Sequence, residues 1–274
     1  MSKPIYELMC GDCLSELRSE FGAGEVDLIV TSPPYADNRK STYPGIKPEE
    51  YVEWFLHRAD QFYRVLNKRG TFILNIKERV QHGERGTYVM ELVQRLRNRG
   101  WFFTEEWIWH KTNSFPGKWP NRFRDAWEHI YQFNKSKDFS MFQDSVKVPI
   151  GDWAKTRMKK LSATDRVRDE SKVESGFGKR VANWEGRKMV YPDNVLYFAT
   201  VCENTGHSAA FPEELPAFFI KLFTRKGDTV LDPFMGSGTT VAAALKLERR
   251  AVGIDTERKY ITSTRNRLKT EGLI

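Results

Sequence analysis

The chain has 274 residues, of which 40% are hydrophobic and 29% charged, and a formal net charge of +8. It can bury one large core, or a core with an appended lobe, and it has no run of about 18 apolar residues that would span a membrane. The positive surplus points to a polyanionic partner, and MSKPIYELM lacks the apolar centre of a signal peptide, so an intracellular protein is expected.

Cys10 and Cys13 form a C-x-x-C, but Cys202 is the only other cysteine and His57 and His82 stand alone, so no metal site is expected. EVDLIV (25–30) reads as a buried strand. It runs into TSPPY (31–35), where Pro33 and Pro34 must end strand pairing because each ring removes a ladder N–H. Residues 48–70 read as a helix: Pro48 suits its first turn, Tyr51, Phe55, Phe62 and Leu66 share a face, and Gly70 follows as its stop. TFILNI (71–76) is the next strand. The segment 87–100 repeats the helical pattern, with Val89, Leu92, Val93 and Leu96 on one face and Gly100 as the stop. WFFTEEWIWH (101–110) and EHIYQFNK (128–135) read as further strands. The alternation predicts an α/β fold.

From 140 to 205 the periodicity fails. Between Lys147 and Lys188 there are 12 basic residues against 6 acidic ones, a surplus of +6 in one segment. A folded lobe is expected there, with elements supplied by NVLYFATV (194–201).

The C-terminal stretch GDTVLDPFMGSGTTVAAALKLERRAVGID has the order strand, glycine turn, helix, strand. Gly236 and Gly238 permit a tight turn, and Asp255 stands about 20 residues on, where dinucleotide folds place the acid that holds ribose hydroxyls. Val241 replaces the third glycine of G-x-G-x-x-G and no G-K-[ST] follows, so there is no phosphate grip. A ribose acid without a phosphate grip fits S-adenosylmethionine, and Asp232 at the strand end can face the methionine ammonium. The alternative is a tight turn without a ligand.

Together, TSPPY after a strand and DPFMGSGTT near the C-terminus resemble the DNA amino-methyltransferases, in the β arrangement where the catalytic motif precedes the cofactor motif. The resemblance covers most of the chain outside 140–205. It implies an α/β, Rossmann-like S-adenosylmethionine-dependent methyltransferase sheet with helices on both faces, in permuted motif order. A catalytic half would span 1–139, a small basic target-recognition lobe 140–205, and a cofactor half 206–274. The sheet should be mainly parallel, with the cofactor at the C-terminal strand ends where strand order reverses, and Asp12 and Asp255 should approach one ligand from opposite ends of the chain.

The chemistry accounts for the residue types. An exocyclic base amine is a poor nucleophile because its lone pair is delocalised into the ring, and acceptors for both amino hydrogens localise it. The Ser32 hydroxyl and the Pro33 carbonyl are the candidate acceptors, Pro34 keeps that carbonyl rigid, and Tyr35 offers a ring on which a flipped base stacks. The plain alternative is that the prolines end a strand and Tyr35 caps the core. No cysteine nucleophile is needed. For the cofactor, the resemblance implies Asp12 and Cys13 of GDC, although Asp12 could simply cap the helix CLSEL. It adds Phe211 and Pro212 of HSAAFPEEL, where Ser208 replaces the commoner proline after His207. It also carries over Asp232, Phe234, Gly236, Ser237, Gly238, Thr239 and Asp255.

Serine before PPY resembles the N4-cytosine enzymes; N6-adenine is the nearest alternative, and RNA, a protein amide or a nicotinamide-dependent oxidation are more distant ones. Duplex DNA is the expected partner, with a restriction endonuclease acting at the same site. Contacts are expected from Arg39 and Lys40, in a loop that can close over the base, and from Lys118, Trp119, Arg122 and Arg124 of SFPGKWPNRFRDAW. An aromatic of that segment can fill the space left by a flipped base, while Trp127 is expected in the core.

Overall fold

Eight strands form the main sheet: β1 Tyr6–Cys10, β2 Val26–Thr31, β3 Leu66–Ile76, β4 Phe102–Lys111, β5 Trp127–Asn134, β6 Val195–Phe198, β7 Thr229–Asp232 and β8 Arg250–Asp255. The computed structural model describes residues 5–36, 45–114, 116–152, 156, 159–160, 186–201 and 211–274. Arg39, Lys40, Cys202, His207, Ser208 and most of the basic segment lie outside the described residues. The strand order is β1-β8-β7-β2-β3-β5-β4-β6. All of these strands run parallel except β5, which is antiparallel to both β3 and β4.

The helices are α1 Cys13–Glu20, α2 Pro48–Val65, α3 Tyr88–Asn98, α4 Glu214–Phe223, α5 Thr239–Lys246 and α6 Arg258–Thr270. Right-handed crossovers place α1, α2 and α3 on one face, because the chain there moves from β1 toward β4; α4 and α5 lie on the other, because the chain returns through β7 to β8. On the first face Phe55, Phe62, Phe72 and Phe133 are fully buried, with Phe72 stacked on Phe133 at 5.9 Å between centroids. On the second, Phe219 of α4 meets Trp107 of β4 edge-on at 5.6 Å.

Two stretches depart from the sequence reading. The helix expected to reach Gly70 ends at Val65, and β3 begins at once with Leu66, paired to Val26. Gly70 lies within the strand because a Cβ there would sit 2.8 Å from the Asp27 carbonyl oxygen, so its role is close backbone approach rather than a helix stop. NVLYFATV, expected in the inserted lobe, instead supplies β6, which pairs in parallel with Ile108–Lys111. Gly100 does end α3: its φ is +94° and its N–H donates to the Arg97 carbonyl.

Residues 1–142 with 194–274 form one compact unit, and residues 143–193 a second. In the second, Val148–Pro149 pairs with Met189–Val190 and the Tyr191 hydroxyl donates to Asp144 at 2.9 Å. It has a concavity of about 420 Å³ lined by Lys147, Arg187, Lys188 and Tyr191. Among the described residues, no helix is long and apolar enough to cross a membrane.

The chain reverses direction between β2 and β7, and these two strands are fastened at both ends. At one end Asp27 accepts from the Thr229 N–H at 2.8 Å; at the other the Thr31 hydroxyl donates to Asp232 Oδ1 at 2.7 Å. Burial pushes the Asp232 carboxyl up to about 6, even though the Thr31 hydroxyl stabilises the anion. Its native pKa therefore lies above the unfolded value of 3.8, so the native state holds this proton more tightly. Its contribution to stability is greatest in acid and is lost as pH rises through about 6. Asp232→Asn should stabilise the ligand-free chain at pH 8 by about 1–3 kcal/mol and leave it little changed near pH 4, as read by denaturant unfolding.

Candidate active site

A cavity of about 780 Å³ opens at the C-terminal ends of the parallel strands, and its wall includes both sequence motifs. That volume suits a nucleoside-sized ligand together with a reacting group. The Gly11 N–H donates to the Asp255 carbonyl at 3.0 Å, and Cys10 is the register partner of Asp255, so the two ends of the chain meet here.

At the glycine end, β7 stops at Asp232 and the chain turns through Gly236 (φ +51°) and Gly238 (φ +74°) into α5. A Cβ at 238 would sit 2.3 Å from the Thr264 methyl. The missing third glycine is compensated from the opposite side: Val241 is buried, and Gly253 on β8 leaves the room, since a Cβ at 253 would sit 2.9 Å from Val241 Cγ2. Asp255 braces the turn, accepting from the Gly236 N–H and the Glu257 N–H, each at 2.9 Å. Asp12 caps α1 by accepting from the Leu14 N–H at 2.8 Å, and its second oxygen takes the Arg58 guanidinium at 2.5 Å. Arg58 lies over the Trp54 ring at 4.2 Å, and Trp54 meets Phe234 at 5.7 Å between centroids. Burial pushes the Cys13 thiol up to about 12, so it is a packing group and not a thiolate.

At the TSPPY end, four side chains form a line. Lys111 Nζ donates to Glu128 Oε1 at 2.5 Å, the Tyr35 hydroxyl donates to Glu128 Oε2 at 2.8 Å, and Ser32 Oγ lies 3.1 Å from the Tyr35 hydroxyl. Asn75 also donates to Glu128, at 3.2 Å. These contacts fix the direction of every proton. Tyr35 has a single hydroxyl hydrogen and gives it to the carboxylate, so the Ser32 hydroxyl must donate to the Tyr35 oxygen. Burial, and then the Glu128 charge, push the Tyr35 phenol well above its ordinary range, so it keeps that hydrogen. The lone pairs of Ser32 Oγ are left to accept a hydrogen bond from whatever enters the cavity.

The neighbouring residue on β5 locks the strand from its other face. His129 lies between Glu78 at 3.0 Å and Glu106 at 2.6 Å. Burial opposes its charge, but the bonds to Glu78 and Glu106 hold its pKa above the ordinary histidine value. At the rim, Asp125 gathers Lys77 at 3.1 Å, Arg85 at 2.6 Å and Arg122 at 3.9 Å. Burial alone would raise the Asp125 carboxyl; Arg85 and Lys77 bring it below the usual range.

Of the residues singled out in the sequence, Ser32, Pro33, Pro34, Tyr35, Asp12, Cys13, Phe211, Asp232, Phe234, Gly236, Ser237, Thr239, Asp255, Arg122 and Arg124 line this one cavity. Pro212, Gly238, Lys118 and Trp119 do not. Pro212 instead takes the Leu215 N–H on its carbonyl, at the start of α4. Trp127, expected in the core, is 37% exposed and packs edge-on to His129 at 4.6 Å. Sequence reading missed Glu128, Lys111, Asn75 and Arg58. The available signal was polarity in an apolar setting: Asn75 and Glu128 sit in buried strands, and Arg58 shares the buried face of α2 with Tyr51, Phe55 and Phe62.

A doubly wound sheet with a glycine turn and an SPPY loop on one cavity defines an α/β methyltransferase. The DNA methylase family, of the N6/N4 type, matches residues 26–266, and the chain belongs to it. It is 30% identical to the Type II methyltransferase M.PvuII of Proteus hauseri, over 96% of this chain and 84% of that one. It is 28% identical to M.Cfr9I of Citrobacter freundii, over 95% and 87% of the two chains. Among solved structures it resembles PvuII DNA methyltransferase (cytosine-N4-specific), with a TM-score of 0.72 at 25% identity over 97% of this chain and 89% of that one. It shares its fold with a DNA modification methylase from Thermus thermophilus complexed with S-adenosyl-L-methionine, with a TM-score of 0.62 at 23% identity over 97% and 94%.

The line from Lys111 to Ser32 separates two roles for Tyr35. Tyr35→Phe keeps the ring and removes the hydroxyl that fixes Ser32, so the methyl-transfer turnover number should fall about tenfold to a hundredfold with the fold intact. Unchanged turnover would mean that the ring alone matters.

Proposed function

We propose that the chain transfers a methyl group from S-adenosylmethionine to the exocyclic N4 of a cytosine flipped out of duplex DNA, as the modification partner of a restriction endonuclease. The observation that carries this reading is the proton order at Ser32: its oxygen is left as an acceptor on the wall of the cavity that also holds the glycine turn. Ser32 accepts one amino hydrogen, and the Pro33 carbonyl, which has no proline N–H beside it, accepts the other. Both bonds favour the amine with its lone pair localised and directed at the methyl group. Tyr35 and Glu128 hold Ser32 in the accepting orientation, and Lys111 keeps Glu128 from taking the amine itself.

The cofactor reading rests on the donor set. Bound S-adenosylmethionine supplies an electrophilic methyl group on a sulfonium sulfur. Asp232 is a buried carboxylate at the wall, suited to the ammonium of its methionine moiety, and the wall offers Trp54 and Phe234 to apolar surface. Asp255 keeps lone pairs for ribose hydroxyls besides the two N–H groups it already accepts. Support for cytosine comes from serine before PPY and from the cytosine-N4-specific PvuII enzyme at 25% identity. The basic residues of the rim and of the second unit are suited to phosphates.

Nucleoside mass spectrometry of DNA incubated with the protein and S-adenosylmethionine should detect N4-methylcytosine; N6-methyladenine without it would assign the other base. Calorimetry provides a second check. Cofactor affinity should fall as pH drops through about 6, where Asp232 becomes neutral. Asp232→Asn should bind about tenfold or more weakly at pH 8 and lose that pH dependence.

A further inference from the structure

We propose that Phe123 is the wedge that enters the duplex and holds open the space vacated by the flipped base. This rests on the reading of the chain as a base-flipping DNA methylase. Lys118–Trp119 and Arg122–Phe123 form a short antiparallel ribbon, with Trp119 opposite Arg122 and Lys118 opposite Phe123. Side chains alternate across a strand, so Trp119 and Arg122 share one face while Phe123 and Lys118 share the other. Arg122 and Arg124 line the cavity that holds Ser32 and Tyr35, whereas Phe123, between them, is 85% exposed.

Leaving a phenylalanine in water forgoes about 1.5–3 kcal/mol of burial, and here nothing local requires it. The neighbouring aromatic is already engaged: Trp119 is 46% exposed, but the Arg122 guanidinium lies over its ring at 4.3 Å. The ribbon is fixed at the rim, with Asn121 Nδ2 donating to the Gly83 carbonyl at 3.0 Å and Arg122 reaching Asp125 at 3.9 Å. A fixed ribbon can push a side chain between stacked bases. Lys118 and Arg122 bring positive charge to the same place, which selects a polyanion over an apolar protein surface as the occupant. Phe123 is a positioning residue: it acts by stabilising the duplex in its opened form, and no bond is made or broken at it.

The test uses the full chain, a duplex carrying its own methylation site, and 2-aminopurine next to the target cytosine to report unstacking. Wild type should raise the fluorescence on binding, and Phe123→Ala should not. The variant should also lose about tenfold or more in turnover on the paired duplex. It should recover most of that loss when the target cytosine is mispaired, and Phe123→Trp should behave as wild type. Equal fluorescence and turnover for wild type and Phe123→Ala would overturn the wedge and leave the methylase reading standing. So would a loss of turnover that mispairing does not relieve. A wild type that methylates no DNA would overturn both.

Discussion

The hydrogen bond from Thr31 to Asp232 spans 201 residues of sequence and sets the geometry of everything around it. It joins the last residue of β2 to the last residue of β7 where the strand order reverses. The next residue after Thr31 is Ser32; the residues after Asp232 lead into the glycine turn. One short bond therefore fixes the spacing between the two motifs, which are far apart in sequence. Its cost is a carboxylate held in a buried place, and the raised Asp232 pKa is the sign of that cost. A buried anion in search of a cation is poor for the stability of an empty protein and well suited to a ligand that carries an ammonium.

Proton direction plays the corresponding part on the other side of the cavity. Lys111, Glu128 and Tyr35 contain no group that needs to react, yet together they leave Ser32 only one way to point its hydrogen. That makes a neutral hydroxyl behave as a dedicated acceptor. A serine can then do the work of a carboxylate acceptor without placing a second negative charge beside Glu128. His129, on the reverse face of β5, holds the strand between Glu78 and Glu106 and so keeps Glu128 in register.

The framework of the fold was legible because strands and helices carry their own periods: the buried run before TSPPY, the apolar face of α3 and the glycine turn of the C-terminal unit each appear in the structure where the pattern places them. Gly70 was misread because a glycine that ends a helix and one that lets backbones approach look alike in sequence; only the Asp27 carbonyl opposite it separates the two. NVLYF lies beside an irregular, charged segment and has too few residues to show which sheet it joins. Glu128, Lys111 and Arg58 were missed for a different reason. Each is one polar residue whose meaning depends on partners between 17 and 93 positions away, and no local pattern encodes such a pairing. Trp127 was expected in the core on composition alone, whereas its place is set by the exposed end of β5.

The central claim is that Ser32 accepts from the base amine because Tyr35 and Glu128 hold its hydrogen elsewhere. A crystal structure of the chain with its site-containing duplex and S-adenosylhomocysteine would test it directly. The account predicts the exocyclic nitrogen of an extruded cytosine within hydrogen-bonding distance of Ser32 Oγ and the Pro33 carbonyl, with the bonds from Ser32 to Tyr35 and from Tyr35 to Glu128 preserved. An amine bonded directly to Glu128, with Ser32 turned away from the base, would contradict it.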